Sequence, residues 1–205
     1  IPAATLLRID LSTVDFGRSD HLPEVYAYGL RNAFGIALDA NGAVWVGDNG
    51  RDTPLLPDEF HRVVPGAHHG FPSEFAPPDA VLPVLTLGFG TSANGLDFYP
   101  ESGWWGPQYG GNAFLARFDS EFNDPTREGR DVLRILIEDS TSESPTARYS
   151  VFARRFVRPL DVQCDPFGNL VIMEYGSVAN LSDGVLYRMS LQIRQGDADR
   201  DLDID

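Results

Sequence analysis

Two short polar pairs carry the side chains best suited to chemistry in this chain of 205 residues. Arg31 and Asn32 stand directly before an apolar run. There, a guanidinium and an amide can bond to carbonyl groups of their own loop, or they can stabilise a bound oxyanion. His68 and His69 resemble a metal site, but they lie inside a Gly-Phe-Pro turn, which favours a structural role. Each pair must be interpreted from the elements that position it.

The composition excludes several classes of function. The chain has 16 basic and 30 acidic residues, and a net charge of −14 argues against nucleic acid as a partner because it repels phosphate backbones. No apolar run approaches the roughly 18 residues of a membrane helix, so no membrane span is expected. The single cysteine, Cys164, excludes an internal disulfide framework and, within an apolar strand pattern, favours a buried inert thiol. Trp104 and Trp105 could border a ligand site or pack within a loop.

The elements around these residues are short strands separated by glycine and proline. Residues 34–46 and 158–172 share a template of strand, tight turn and second strand. Gly42 and Gly168 supply the positive φ that such turns need. A third, looser copy begins at residue 94, and its second strand is predicted over 112–118.

A later strand also recurs, with an arginine between two apolar neighbours in most copies. These arginines are Arg8, Arg62, Arg134 and Arg188. A recurrence near 50 residues with about four strands per unit is typical of β-propeller blades, and we expect the arginines to make strand-face or inter-blade contacts. A β-sandwich with chance turn similarity is the alternative. Three blades cannot close a ring, so the chain should belong to a longer protein or need a partner half.

Four stretches that follow one another in order carry a more specific signal. They are residues 28–37, 47–51, 58–59 and 66–72. Their order and spacing resemble the soluble quinoprotein glucose/sorbosone (aldose sugar) dehydrogenases, which carry a Gly-[His/Leu]-Arg-Asn-Pro-x-Gly run, an acidic glycine turn, an Asp-Glu pair and Gly-x-Asn-Tyr-Gly-Trp-Pro. Three later segments are similar to strands of the same family: residues 92–99, 112–118 and 158–170.

The resemblance implies an all-β fold, a six-bladed β-propeller with pyrroloquinoline quinone (PQQ) across the top of its central channel. Residues 1–191 would supply the C-terminal part, about three four-stranded blades. The implied reaction is oxidation of the C1 hydroxyl of an aldose by hydride transfer to the quinone, with Ca²⁺ polarising the quinone carbonyl. The implied partners are a sugar, an external electron acceptor and the N-terminal blades of the same protein, in a secreted or periplasmic setting.

Four residues of this chain match family positions that contact the cofactor. Arg31 and Asn32 would face the quinone oxygens as catalytic and cofactor-binding groups, because fixed donors stabilise the oxyanion that forms as hydride arrives. Arg158 and Arg117 would pair with the cofactor's carboxylates, which suit the fork of a guanidinium.

The resemblance also implies metal ligands. The backbone carbonyls of Gly50 and Arg51 would bind the active-site Ca²⁺, and Glu59 would belong to a second, structural calcium site. Four positions depart from the family pattern. Arg51 stands where proline is frequent, and His69 replaces a tyrosine. Leu160 stands where some members carry a second cofactor-binding arginine, and Arg117 where some have lysine. The family's catalytic histidine lies in earlier blades, so this chain alone is expected to be inactive. The alternative function is a non-catalytic secreted propeller that serves as a binding module.

Residues 192–205 form an acidic tail of different composition, which resembles the start of a dockerin or EF-hand calcium loop. Asp197, Asp199 and Asp201 would be its first three ligands. The sequence ends before the bidentate twelfth ligand, so weak calcium binding at best is expected. A solvated acidic tail is the alternative.

Overall fold

The chain folds into a series of antiparallel β-sheets. The computed structural model describes residues 5–15, 17, 22–50, 56–120, 128–177 and 183–190. In these ranges the helical structure consists of two short 3-10 turns, Leu11–Thr13 and Ser73–Phe75. Arg51 and the predicted calcium-loop residues Asp197, Asp199 and Asp201 lie outside the described residues. None of the described helices is both long and apolar enough to span a membrane.

The sheets follow one another along the chain, and within each sheet every strand pairs with the next. A two-stranded sheet comes first, with β1 (Thr5–Arg8) and β2 (Glu24–Tyr28). The first blade has β3 (Ala33–Leu38), β4 (Val44–Asp48), β5 (Pro57–Arg62) and β6 (Leu85–Phe89). The second blade has β7 (Ala93–Phe98), β8 (Ala113–Ser120), β9 (Gly129–Glu138) and β10 (Thr146–Ala153). The third blade has β11 (Pro159–Cys164), β12 (Leu170–Glu174) and β13 (Val185–Met189).

The repeated strand-turn-strand template forms the inner hairpin of the first and third blades. An aspartate opens each turn, and one oxygen of Asp39 or Asp165 accepts hydrogen bonds from two N–H groups of its own turn. Gly42 and Gly168 have φ values of +78° and +75°, which a side chain would strain. The predicted hairpins and the need for glycine are therefore confirmed, and β7 and β8 confirm the looser third copy.

The recurring arginines occupy equivalent places in the three blades. Each stands on the third strand, opposite the second residue of the second strand: Arg62 opposite Trp45, Arg134 opposite Phe114, and Arg188 opposite Val171. The Arg62 guanidinium donates to the carbonyl of Ser142 in the next blade. The recurring arginines therefore have a structural role, and for Arg62 this role includes a contact between blades.

The first strands of the blades pack directly on one another, β3 against β7 and β7 against β11. Glycine makes this approach possible at the third residue of two strands. A Cβ on Gly35 would lie 2.0 Å from the Asn94 carbonyl oxygen, and a Cβ on Gly95 would lie 2.4 Å from the Asp161 Cα. Sheets that meet at their first strands and diverge outward are blades around an axis. The predicted fold class, all-β and part of a propeller, is confirmed, and the sandwich alternative does not match.

Aromatic side chains fill the spaces between blades. Between the first and second blades, Trp45 stacks on Phe60 with ring centroids 5.0 Å apart. Between the second and third blades, Trp105 stacks on Tyr99 at 5.1 Å, and the Tyr99 hydroxyl donates to the Gly168 carbonyl at 2.6 Å. Of the two adjacent tryptophans, Trp105 thus packs within the core, and Trp104 stays exposed.

The β1–β2 sheet packs on Val46 and Val63 of the first blade, but other apolar side chains at the two ends of this row of blades stay exposed. On β3, the side chains of Phe34, Ile36 and Leu38 are 56%, 50% and 60% exposed. At the other end of the row, Met173 and Leu186 of the third blade are also exposed. Exposed apolar faces are what an incomplete ring of blades predicts.

Candidate functional site

The polar residues singled out by the sequence collect at one end of the blades. Because neighbouring strands are antiparallel, the loop before each first strand lies beside the end of the second strand. Contacts between blades place these loops together: Thr91, before β7, donates to Asp58 beside the end of β4, and Arg158, before β11, lies 3.6 Å from Asp119 near the end of β8. The loops at residues 30–32, 90–92 and 156–158 therefore share one end, which we call the upper end.

Asp48, at the end of β4, fixes the loop that carries Arg31 and Asn32. Its Oδ2 accepts a hydrogen bond from the Arg31 backbone N–H at 2.8 Å, and its Oδ1 accepts one from the Asn32 N–H at 2.6 Å. Burial raises the pKa of the Asp48 carboxyl, and these two donors oppose the rise. The backbone N–H and the side-chain amide of Asn49 both donate to the Asn32 carbonyl at 3.2 Å. Asp48 and Asn49 thus both fix the backbone of the loop that carries Arg31 and Asn32.

The guanidinium of Arg31 lies over the turn after β4. Its Nη1 donates to the Asn49 carbonyl at 3.0 Å and to the Gly50 carbonyl at 2.6 Å. The Gly50 N–H in turn donates to Asp58 at 2.7 Å, and Thr91 donates to the other oxygen of Asp58 at 2.7 Å. The predicted catalytic arginine and the predicted calcium ligand Gly50 are therefore in direct contact.

Arg117 lies inside the second blade. Its side chain is 1% exposed, and it forms a double hydrogen bond with Asp131, both contacts at 2.7 Å. The remaining nitrogen, Nη1, donates to the Leu87 carbonyl at 2.7 Å and to Glu128 at 3.2 Å. The contact of Arg117 with a cofactor carboxylate stays a prediction, and it would need one of these bonds to open.

Arg158 lies between the second and third blades at the upper end. Its Nη2 is 3.6 Å from a carboxylate oxygen of Asp119, and its guanidinium carbon is 5.7 Å from the centre of the Phe118 ring. Arg130 pairs with the other oxygen of Asp119 at 2.9 Å. Two guanidinium groups thus share the Asp119 carboxylate at this point of the upper end.

Glu59 belongs to a cluster that the sequence reasoning did not assemble. Asp48 and Glu59 are partners in the β4–β5 register, and His61 follows two residues later on the same face of β5. Their potential metal-ligating atoms all lie within 4.8 Å of one another, and Glu59 Oε2 is 3.0 Å from His61 Nε2. The alternation in Asp58-Glu59-Phe60-His61 indicates a shared face for Glu59 and His61, but only the register adds Asp48.

His68 and His69 have the structural role that their position in the Gly-Phe-Pro turn predicts. His68 Nδ1 accepts a hydrogen bond from the Gly70 N–H at 3.0 Å, and His69 Nε2 accepts one from the Val64 N–H at 3.3 Å. Burial lowers the pKa of His69 to about 4, so its ring is neutral near pH 7.

Comparison with known proteins gives both a family match and a set of similar structures. The family model Glucose / Sorbosone dehydrogenase matches residues 12–77, which include the Arg31–Asn32 loop and the Asp48–Glu59–His61 cluster. No curated protein matches the chain in sequence.

Several solved structures share the fold. An oxidoreductase (glucose dehydrogenase) from Thermus thermophilus is 24% identical with a TM-score of 0.63, over 84% of this chain and 50% of that one. The soluble aldose sugar dehydrogenase of Escherichia coli, in its apo-form, is 22% identical with a TM-score of 0.54, over 78% and 46%. The PQQ-bound aldose sugar dehydrogenase of Streptomyces coelicolor is 21% identical with a TM-score of 0.55, over 82% and 46%. At these identities the likeness concerns the fold, and the chain spans about half the length of these proteins.

Proposed function

We propose that this chain forms the C-terminal blades, residues 1–191, of a PQQ- and calcium-dependent sugar dehydrogenase that oxidises the C1 hydroxyl of an aldose. The observation that carries the proposal is the Asp48-anchored loop at the upper end, which presents Arg31 and Asn32 inside the segment that the family model matches. Residues 192–205 belong to the proposal as the beginning of a calcium loop.

The upper end offers cationic donors that fit a polyanionic quinone. Arg31 and Arg158 both lie there, on different blades, and a guanidinium can bind a carboxylate with two parallel hydrogen bonds. PQQ, when bound, would supply a two-electron acceptor for the hydride of the sugar, with Ca²⁺ as the Lewis acid. Arg31 and Asn32 would stabilise the negative charge that develops on a quinone oxygen. Asp48 fixes the backbone of both residues, so only their side chains would need to reorient.

The turn after β4 has the chemistry of a cation site. The carbonyls of Asn49 and Gly50 already converge on one positive group, the Arg31 guanidinium. Carbonyl oxygens are the hard ligands that Ca²⁺ prefers. Calcium at Gly50 and Arg51 would take the place of the guanidinium at the Gly50 carbonyl and free Arg31 to face the cofactor.

The chain is proposed to need the N-terminal blades of the same protein for turnover, because the base that removes the C1 hydroxyl proton would come from them. The open apolar face of β3 supports such a neighbour. An external electron acceptor would reoxidise the cofactor, and a secreted or periplasmic location follows because the quinone is loaded outside the cytoplasm.

A non-catalytic binding propeller is the second candidate. The bonds of Arg31 to its own turn and the burial of Arg117 against Asp131 favour it, because both arginines are satisfied without a ligand.

Reduction of bound PQQ by sugars separates the two candidates. The intact protein, with its preceding blades, is loaded with PQQ and Ca²⁺, and a panel of aldoses is added while the absorbance of the quinone and a dye-coupled rate are followed. Aldose-dependent reduction is expected for the dehydrogenase. Sugar binding by calorimetry without any reduction of bound PQQ would instead identify a binding module.

A further inference from the structure

The cluster of Asp48, Glu59 and His61 differs from an ordinary acidic surface patch because it contains a wholly buried imidazole. The His61 side chain has no exposed surface, and its Nδ1 has no hydrogen-bond partner in the part of the chain that the structure describes. The ring of His69 meets the ring of His61 edge to face at 5.3 Å, and His69 Nε2 accepts the Val64 N–H. Nε2 of the His61 ring lies 3.0 Å from Glu59, so this nitrogen is the one that faces the carboxylates of the cluster.

We propose that Asp48, Glu59 and His61 form a binding site for a zinc-class divalent cation. One imidazole nitrogen and two carboxylate oxygens are a ligand set that zinc accepts, with water in the fourth position. Their potential ligand atoms already lie within 4.8 Å of one another, so a cation between them needs side-chain adjustments and no change of the sheet.

The donor set decides which class of cation the site takes. Calcium requires six to eight oxygen ligands, and imidazole favours zinc and the neighbouring transition metals. The family resemblance implies calcium at Glu59, but here a buried imidazole stands 3.0 Å from that carboxylate. The residues present therefore fit zinc better than calcium, which is where this chain departs from the resemblance.

The surrounding structure would orient the ligands. Both oxygens of Asp48 accept backbone hydrogen bonds, from Arg31 and from Asn32, and ligating carboxylates are held in place by such contacts. The cross-strand pairing of Asp48 with Glu59 fixes the spacing of the two carboxylates. A cation here would therefore also anchor the Arg31–Asn32 loop at the upper end.

Calorimetric titration of the metal-free intact protein with Zn²⁺ and, separately, with Ca²⁺ tests the proposal without any cofactor or sugar. We expect Zn²⁺ to bind this site at least about tenfold more tightly than Ca²⁺ does. His61→Asn replaces the imidazole with an amide and is expected to weaken zinc binding at least about tenfold. His68→Asn is the matched control, because His68 lies outside the cluster, and it should leave the zinc affinity unchanged.

Circular dichroism and thermal melts establish that the variants are folded. If His61→Asn does not fold, Glu59→Gln replaces it, because Glu59 is one-third exposed and tolerates the change. Cobalt provides a second readout, since Co²⁺ bound by His61 should absorb in the visible range and lose that absorbance in the variant. Calcium binding as tight as zinc binding, or zinc binding that His61→Asn leaves intact, would overturn the proposal. Either outcome would leave the proposed oxidation of aldoses untouched, because that reaction is measured with PQQ.

Discussion

At the scale of single residues, Asp48 does the most to shape the upper end. One buried carboxylate receives the N–H groups of Arg31 and Asn32, pairs across the sheet with Glu59 and lies beside His61. A charged acceptor with two backbone donors is held more strongly than a neutral one. The position of Arg31 therefore follows from a residue 17 places later in the chain.

The thiol of Cys164 gives a prediction that depends on pH. Burial, with the negative charges of Asp97 and Asp165, raises the pKa of this thiol from 9.0 to about 12. Only the thiolate reacts, so at pH 8 the native protein should react with a disulfide reagent about a thousandfold more slowly than the protein in urea. Stopped-flow labelling in both conditions measures the ratio. Equal rates would show that the thiol is not protected.

The sequence predicted some of these residues and missed others for a physical reason. Arg31, Asn32, Gly50 and Glu59 lie in short local motifs, which can be read without knowing how strands pair. The Asp48–His61 neighbourhood depends on the β4–β5 register, and the Arg117–Asp131 pair depends on the β8–β9 register. Register is set by the whole sheet, so such pairs are not visible in a local pattern.

At the scale of elements, the first strands determine how closely the blades approach. β7 meets β11 at Gly95, where even a methyl group would collide with the backbone of Asp161. The loops at the upper end are attached to these strands. The spacing of Arg31 and Arg158 therefore depends on this packing.

Gly95→Ala tests the packing. An added Cβ would lie 2.4 Å from the Asp161 Cα, so the strands must separate, and we expect a loss of about 2 kcal/mol or more in the free energy of unfolding. Gly17→Ala is the control, because the one atom within 4 Å of its added Cβ is a side-chain oxygen of the exposed Asp15, which can move aside. Urea denaturation of the two variants measures the difference. Equal stabilities would contradict the close approach of β7 and β11.

A hairpin with a short turn could be predicted from the sequence more completely than a hairpin with a long loop. The hairpins of the first and third blades have an aspartate and a glycine at fixed places, so their sequence pattern is sufficient. The hairpin of the second blade has a longer loop that contains Trp105 and Tyr109, and these pack with Tyr99 in place of a tight turn. That copy was recognisable only by its strands.

At the scale of the whole molecule, the open faces are the main feature. The chain spans about half the length of the similar structures, and the apolar side chains of β3 face solvent. Apolar faces of this kind bind a neighbouring blade in a closed propeller. We therefore expect a blade from outside this chain to cover β3.

Ile36→Glu tests that expectation by comparison of two proteins. In the intact protein with its preceding blades, the substitution should lower the free energy of unfolding by about 2 kcal/mol, because it buries a charge in place of an apolar side chain. In the 205-residue chain by itself, where Ile36 is 50% exposed, it should have little effect. Thermal melts of the intact protein and of the 205-residue chain, each with and without the substitution, measure the change in stability. A neutral effect in the intact protein would mean that no blade covers this face.

The most direct test of the central claim is a PQQ titration of the intact protein with and without Ca²⁺. We expect calcium-dependent binding that Arg31→Ala weakens at least about tenfold, because a guanidinium–anion contact is lost. Arg188→Ala should leave binding unchanged, since Arg188 is exposed and contacts Asp165 in the hairpin at the opposite end of the third blade. A well-folded intact protein that binds no PQQ, or binds it equally well without Arg31, would contradict the proposed cofactor site.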